Sequence, residues 1–170
     1  EIFKKNGNHP NIIEMYENGI IDQDLFNNFD IPFFINKDFF QESKYVLLEW
    51  VEGQELFEYV NNDNIISHKY LKDIINQVIE GIRWANEKCQ VINEDIKLEN
   101  IMISQKESTK IKIIDWGFST TEEMSSKLLG SENYCSPEIL NLQFRFYNTK
   151  ISQMWSLGVT IYALVFKSFP

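Results

Sequence analysis

The sequence predicts an α+β fold in two unequal parts, strand-rich at first and helical later. Three observations carry this. The short runs NIIEMYENGI (11–20) and KYVLLEWV (44–51) are apolar and rich in branched or aromatic residues, which is strand character. After EGQE the apolar residues switch to helical spacing, at Leu71, Ile74, Ile75, Val78, Ile79, Ile82, Ala85 and Cys89. A second apolar stretch, Met154–Phe166, closes the chain. Strands followed by helices, rather than a regular alternation of the two, is the α+β pattern.

The elements follow in order. Between the first two strands lies IDQDLFNNFDIPFFINKDFFQES, rich in Asn, Asp and Phe and carrying Pro32. It reads as a long irregular insertion at about 21–43. The helical spacing predicts an amphipathic helix over about 67–89, with Ser67 as its N-cap. NIMIS (100–104) and KIKII (110–114) read as two short strands joined by a polar turn. A Ser/Thr/Glu-rich loop (118–136), a short helix near 137–143 and a helix near 151–166 complete the chain. The last is too short to span a bilayer and contains Ser156, Gly158 and Thr160, so it reads as a buried helix.

Composition narrows the function. With 170 residues, 44% apolar and 14% aromatic, a core can form. Asp and Glu number 25 against 16 Lys and Arg, for a net charge of −9. That argues against a nucleic-acid or anionic-membrane binder. Cys89 and Cys135 form no CxxC pair, and His9 and His68 stand far apart, so neither a disulfide framework nor a zinc site is expected. Glu1–Asn11 is polar and reads as no signal peptide. A reducing, cytoplasmic or otherwise intracellular setting is expected.

One stretch carries chemistry. In NEDIKLEN (93–100), Asp95-x-Lys97-x-x-Asn100 has the spacing of a phosphoryl-transfer loop. In IIDWG (113–117) an apolar strand runs straight into Asp115 and a flexible Gly117. By itself that pair is an ordinary turn signal. The hairpin between them, however, brings both loops to one edge. Asp95 can then accept or orient the proton of an attacking hydroxyl, and Lys97 can stabilise charge on the transferred group. Asn100 and Asp115 offer the few hard oxygens that magnesium prefers.

With these residues the chain resembles the protein kinase family. NEDIKLEN is similar to H-R-D-L-K-x-x-N, DWG to D-F-G, and SPE (136–138) to A-P-E. GSENYCSPEIL resembles the segment that docks the acceptor residue, and SQMWSLGVTIYAL the buried helix F. YVLLEWVEGQELFEYV resembles the fifth strand, hinge and helix D, and NHPNIIEMYE the turn after helix C with the fourth strand. The resemblance implies a bilobal kinase-like fold: a small-lobe remnant at 1–49, a hinge at 50–53 and a large lobe at 54–170. It implies a serine/threonine kinase with ATP and Mg2+ as cofactors and protein substrates. Asp95, Lys97 and Asn100 would be catalytic, with Asn100 and Asp115 on the metal. Leu48 would be the gatekeeper, and backbone groups of Glu49 and Val51 would hold adenine above Met102. Glu55 would reach the ribose or a basic substrate residue, and Ser131 would contact Asp95 and Lys97.

Departures from the family pattern are equally legible. No Gly-rich loop and no V-A-I-K lysine is present, so the chain reads as a fragment from late helix C to helix F, inactive alone. Asn93-Glu94 stands where the family has His-Arg. Glu94 would repel a loop phosphate, so any activity is expected not to need phosphorylation at Thr120, Thr121, Ser125 or Ser126. Trp116 is expected to fill the volume that Asn93 leaves. Gln153 replaces the helix F Asp and is expected to accept from catalytic-loop amides. These departures keep one alternative open, a pseudokinase acting as scaffold or allosteric partner.

Overall fold

The computed structural model describes residues 2–20, 43–62, 67–105, 110–141 and 145–170. The expected insertion thus lies outside the described residues but for its last position. The chain divides into two compact units, Glu14–Trp50 and the combination of Glu1–Ile13 with Val51–Pro170. The first thirteen residues fall with the larger unit.

The smaller unit is an antiparallel pair of strands, β1 (Met15–Ile20) and β2 (Lys44–Leu48). Both are shorter than the runs that announced them. Glu17 faces Leu47 and Gly19 faces Tyr45, with an irregularity between Met15 and Glu17. A Cβ on Gly19 would sit 2.8 Å from the Tyr45 ring, so the glycine lets that ring lie across the strand. The Tyr45 hydroxyl donates to Glu17 at 2.5 Å.

In the larger unit α1 (Ile2–Asn6) leads to a turn whose Ile12 bridges in parallel to Ile113. Asn11 pins that turn from within, donating to Gln77 Oε1 at 2.9 Å and to the Ile111 carbonyl at 3.0 Å. Next come β3 (Gly53–Glu55), which the sequence did not announce, and α2 (Leu56–Asn61). The long helix α3 (His68–Lys88) matches its periodicity, and Ser67 Oγ accepts from the Tyr70 amide as the cap. Its buried face is Ile74, Val78, Gly81, Ile82 and Ala85. The expected hairpin is β5 (Ile101–Ser104) against β6 (Ile111–Ile113), and β3 adds to β5 to make three strands. That addition is narrow: a Cβ on Gly53 would lie 2.1 Å from the Ile103 carbonyl oxygen. Leu56, Ile74, Val78, Ile82, Ile101, Ile103, Ile111 and Ile113 form one apolar core under the sheet. Burying each such side chain contributes about 1.5–3 kcal/mol before entropy is counted.

The remaining elements brace two loops. β4 (Ile92–Asn93) pairs with β7 (Ser119–Thr120), and β8 (Met124–Ser125) with β9 (Tyr147–Asn148). A short helix α4 (Pro137–Leu140) precedes residues outside the described set. α5 (Thr149–Phe166) starts two residues before the apolar run suggested, because Asn148 Oδ1 caps it from the Ile151 amide. One side of α5 is buried, as a buried helix requires, while Ile151, Met154, Trp155, Val165 and Phe166 are exposed. No helix among the described residues is long and apolar enough to cross a membrane.

Candidate active site

Extended backbone alternation builds the first loop. Ile96 and Leu98 turn into the core, and Thr160 of α5 donates to the Ile96 carbonyl at 3.2 Å. Asp95 and Lys97 therefore face the other way. The Asp95 carboxylate is buried yet fully engaged. Its Oδ2 lies 2.8 Å from Lys97 Nζ and accepts from Asn100 Nδ2 at 2.9 Å. Its Oδ1 accepts from the Ser131 hydroxyl at 3.0 Å, and that same Ser131 oxygen accepts from Lys97 at 2.7 Å. Four side chains from two loops thus close one charge-assisted network, the arrangement in which a buried carboxylate is tolerated.

Ser131 arrives there through a backbone that only glycine permits. Gly130 has φ +98, and a Cβ on it would stand 2.9 Å from the Glu94 carbonyl oxygen. The Ser131 carbonyl then accepts from the Tyr134 and Cys135 amides, fixing the turn. The Tyr134 hydroxyl reaches back to Glu99 at 2.9 Å. Burial and the Glu99 carboxylate hold that phenol well above the ordinary tyrosine range.

Asn93 joins the two acidic loops. Its Oδ1 accepts from the Asp95 amide at 2.9 Å, and its Nδ2 donates to the Asp115 carbonyl at 2.7 Å. Trp116, expected to fill the volume that Asn93 leaves, packs against the apolar core. Its ring meets Phe3 edge-on at 4.7 Å, and its Nε1 donates to the Ile113 carbonyl. Hydrogen bonds, not ring volume, are what Asn93 supplies. Asp115 itself is exposed, and its Oδ1 accepts from the Gly117 amide at 2.8 Å.

The donor set suits magnesium. Asn100 spends its Nδ2 on the Asp95 carbonyl and carboxylate, so its amide oxygen would be the atom to face a metal. With the Asp115 carboxylate this makes two hard oxygen donors, as expected for an ion completed by phosphate and water. Among the described residues no cluster of three or more His, Cys, Asp or Glu offers an all-protein cage.

Glu94 is buried and keeps a partner that its position in the sequence gave no sign of. The Tyr147 hydroxyl, from β9, lies 2.5 Å from its Oε2 and 2.9 Å from the Lys127 carbonyl. The Glu94 amide donates to the Phe118 carbonyl at 2.8 Å. Gln153 also departs from expectation. Its Oε1 accepts from Asn86 Nδ2 of α3 at 2.7 Å, and its Nε2 has no partner among the described residues. The Asp95 and Glu94 amides are met by Asn93 and Phe118, so neither falls to Gln153.

The other predicted residues divide between the units. Glu55 and Met102 are register partners on β3 and β5, and Val51 precedes β3, all in the larger unit. Leu48 ends β2 in the smaller unit, where the Glu49 amide donates to the Glu14 carbonyl. Sequence reasoning missed Tyr147, Phe118 and the use made of Asn93. Tyr147 lies 53 residues from Glu94, and nothing in local spacing marks it.

The chain is similar to known protein kinases. The family model for the protein kinase domain matches residues 1–170. Serine/threonine-protein kinase SRK2F of Arabidopsis thaliana is 31% identical over 128 residues, covering 74% of this chain and 36% of that protein. Serine/threonine-protein kinase SAPK1 of Oryza sativa subsp. japonica is 30% identical with the same coverage. An abscisic acid-inducible protein kinase of Triticum aestivum is also 30% identical, over 74% of this chain and 38% of its own length. The match therefore spans little more than a third of these curated relatives.

Proposed function

The chain belongs to the protein kinase family, and we propose that the protein carrying it transfers the γ-phosphoryl group of ATP to Ser or Thr hydroxyls of protein substrates. The observation that carries this is the closed network of Asp95, Lys97, Asn100 and Ser131. A scaffold has no need to keep a buried carboxylate bonded on both oxygens beside a half-buried lysine.

Asp95 orients the acceptor hydroxyl and takes its proton as the bond to phosphorus forms. Lys97, already within reach of Asp95 and Ser131, offsets negative charge on the group in transit. Asn100 and Asp115 would hold Mg2+, which when bound neutralises charge between the phosphates. Asn93 keeps the two loops in register, so positioning is set before substrate arrives. Adenine and ribose contacts by Leu48, Glu49, Val51, Glu55 and Met102 are proposed from the family resemblance alone. A cytoplasmic or other intracellular setting is proposed from the free thiols of Cys89 and Cys135.

The scaffold alternative rests on Asn93, Glu94 and Gln153. Each has an internal partner that leaves the Asp95 network intact. The test is γ-phosphate transfer to a basic protein by the whole protein with Mg2+. Transfer is expected, and Asp95→Asn should lower it by about 100-fold or more. Folded wild-type protein that transfers nothing, or equal transfer by Asp95→Asn, would overturn the kinase reading.

A further inference from the structure

The segment after Asp115 wraps a cavity of about 190 Å³ lined by Glu94, Thr120, Glu122, Ser125, Lys127 and Phe146, among others. Ser125 and Tyr147 are register partners in the β8–β9 pair. The Tyr147 phenol reaches the buried Glu94 carboxylate at 2.5 Å and the Lys127 carbonyl at 2.9 Å. The Lys127 amide returns to Ser125 Oγ at 3.1 Å. This clasp holds the segment without any phosphate. It also sits just upstream of Ser131, which contacts both Asp95 and Lys97.

We propose that Ser125 is a modification site whose phosphorylation switches transfer off, because the added dianion confronts the buried Glu94 carboxylate and opens the clasp that positions Ser131. The inference rests on the kinase reading above and adds its regulation. In the modifying step Ser125 Oγ forms a bond to the γ-phosphorus of a nucleoside triphosphate. The bond from that phosphorus to the β,γ-bridging oxygen breaks, nucleoside diphosphate leaves, and the hydroxyl proton passes to the catalytic carboxylate of the modifying kinase. The product gains close to two negative charges. Among the described residues lining the cavity Lys127 is the only cation, against Glu94 and Glu122. An Arg at position 94 would reward such a phosphate; a buried Glu opposes it.

The experiment uses the whole protein and compares Ser125→Asp with the neutral, similar-sized Ser125→Asn. Ser125→Asp should lower kcat about tenfold, while Ser125→Asn stays within about twofold. In a Glu94→Gln background, where the amide oxygen still accepts from Tyr147 but the charge is gone, the Asp penalty should shrink to about twofold. Amide exchange over residues 119–130 should quicken in Ser125→Asp and not in Ser125→Asn. Equal rates for Asp and Asn, a gain with Asp, or a penalty unchanged in Glu94→Gln would overturn the inference. Wild-type protein without transfer would defeat the kinase reading instead, and the exchange comparison would still decide whether charge at Ser125 opens the clasp.

Discussion

Replacing Asn93 with alanine tests whether one buried side chain holds both acidic loops. Its side chain is fully buried and serves two backbone groups, the Asp95 amide and the Asp115 carbonyl. Asp95 is only 4% exposed, so its freed amide has no easy route to water. That orphaned donor costs about 1–3 kcal/mol. Asp115 lies at the surface, where water can replace the lost donor, so the second bond is worth about 0.5–1.5 kcal/mol. Together Asn93→Ala should lose about 2–4 kcal/mol, allowing a little for the void. Urea unfolding would show it as a lower midpoint at unchanged slope. Steady-state kinetics should show a lower kcat and a higher KM for ATP, since Asp95 and Asp115 are no longer coupled. Asn93→Asp adds a sharper check. It keeps size and acceptor but sets a carboxylate against the Asp115 carbonyl. Burial and that carbonyl would raise its folded pKa above the unfolded value. Stability would then be present in acid, where the protonated carboxyl can donate, and lost as pH rises through the folded pKa. An Asn93→Ala midpoint equal to wild type, or Asn93→Asp as stable as wild type at neutral pH, would refute the bridging role.

Three other outcomes follow from the geometry. Ser131→Ala removes a donor to Asp95 and an acceptor for Lys97, so kcat/KM should fall about 10- to 100-fold, and the unpaired carboxylate oxygen should lower stability in urea by about 1–3 kcal/mol. The Tyr147 phenol is pushed up to about 12 by burial and by its bond to Glu94. Its folded pKa is raised, so its contribution is full below pH 10, its unfolded value, and is lost as pH climbs toward about 12; Tyr147→Phe should lack that alkaline decline. Gly53→Ala should destabilise by about 1–3 kcal/mol, because its Cβ has no space beside the Ile103 carbonyl, and circular dichroism melts would register it.

Much of the fold was legible because it obeys local rules. The period from Leu71 to Cys89 and the Ser67 cap gave α3 nearly to the residue, and the two short apolar runs gave β5 and β6. β3 was hidden because three residues with a glycine carry no strand pattern; it forms only because β5 offers an edge. The exposed side of α5 was not legible, since apolar composition does not say how many neighbours a helix finds. At the site, spacing announced Asp95, Lys97 and Asn100, and the structure brings them together with Ser131. What spacing could not announce were bonds between distant segments. Asn93 looked like a loss of a ring, yet its amide both accepts and donates. Glu94 looked like mere repulsion until Tyr147 was found beside it.

The Asn86–Gln153 pair has a practical side. Two carboxamides face each other between α3 and α5, sharing one bond while Asn86 Oδ1 and Gln153 Nε2 find no partner among the described residues. Each unpaired atom holds stability in reserve, since a buried amide without a partner costs about 1–3 kcal/mol. Exchanging both residues for apolar side chains of similar volume removes both deficits at once and leaves the Asp95 network untouched. For anyone who must produce, crystallise or screen this protein, that interior pair is the place to begin hardening it.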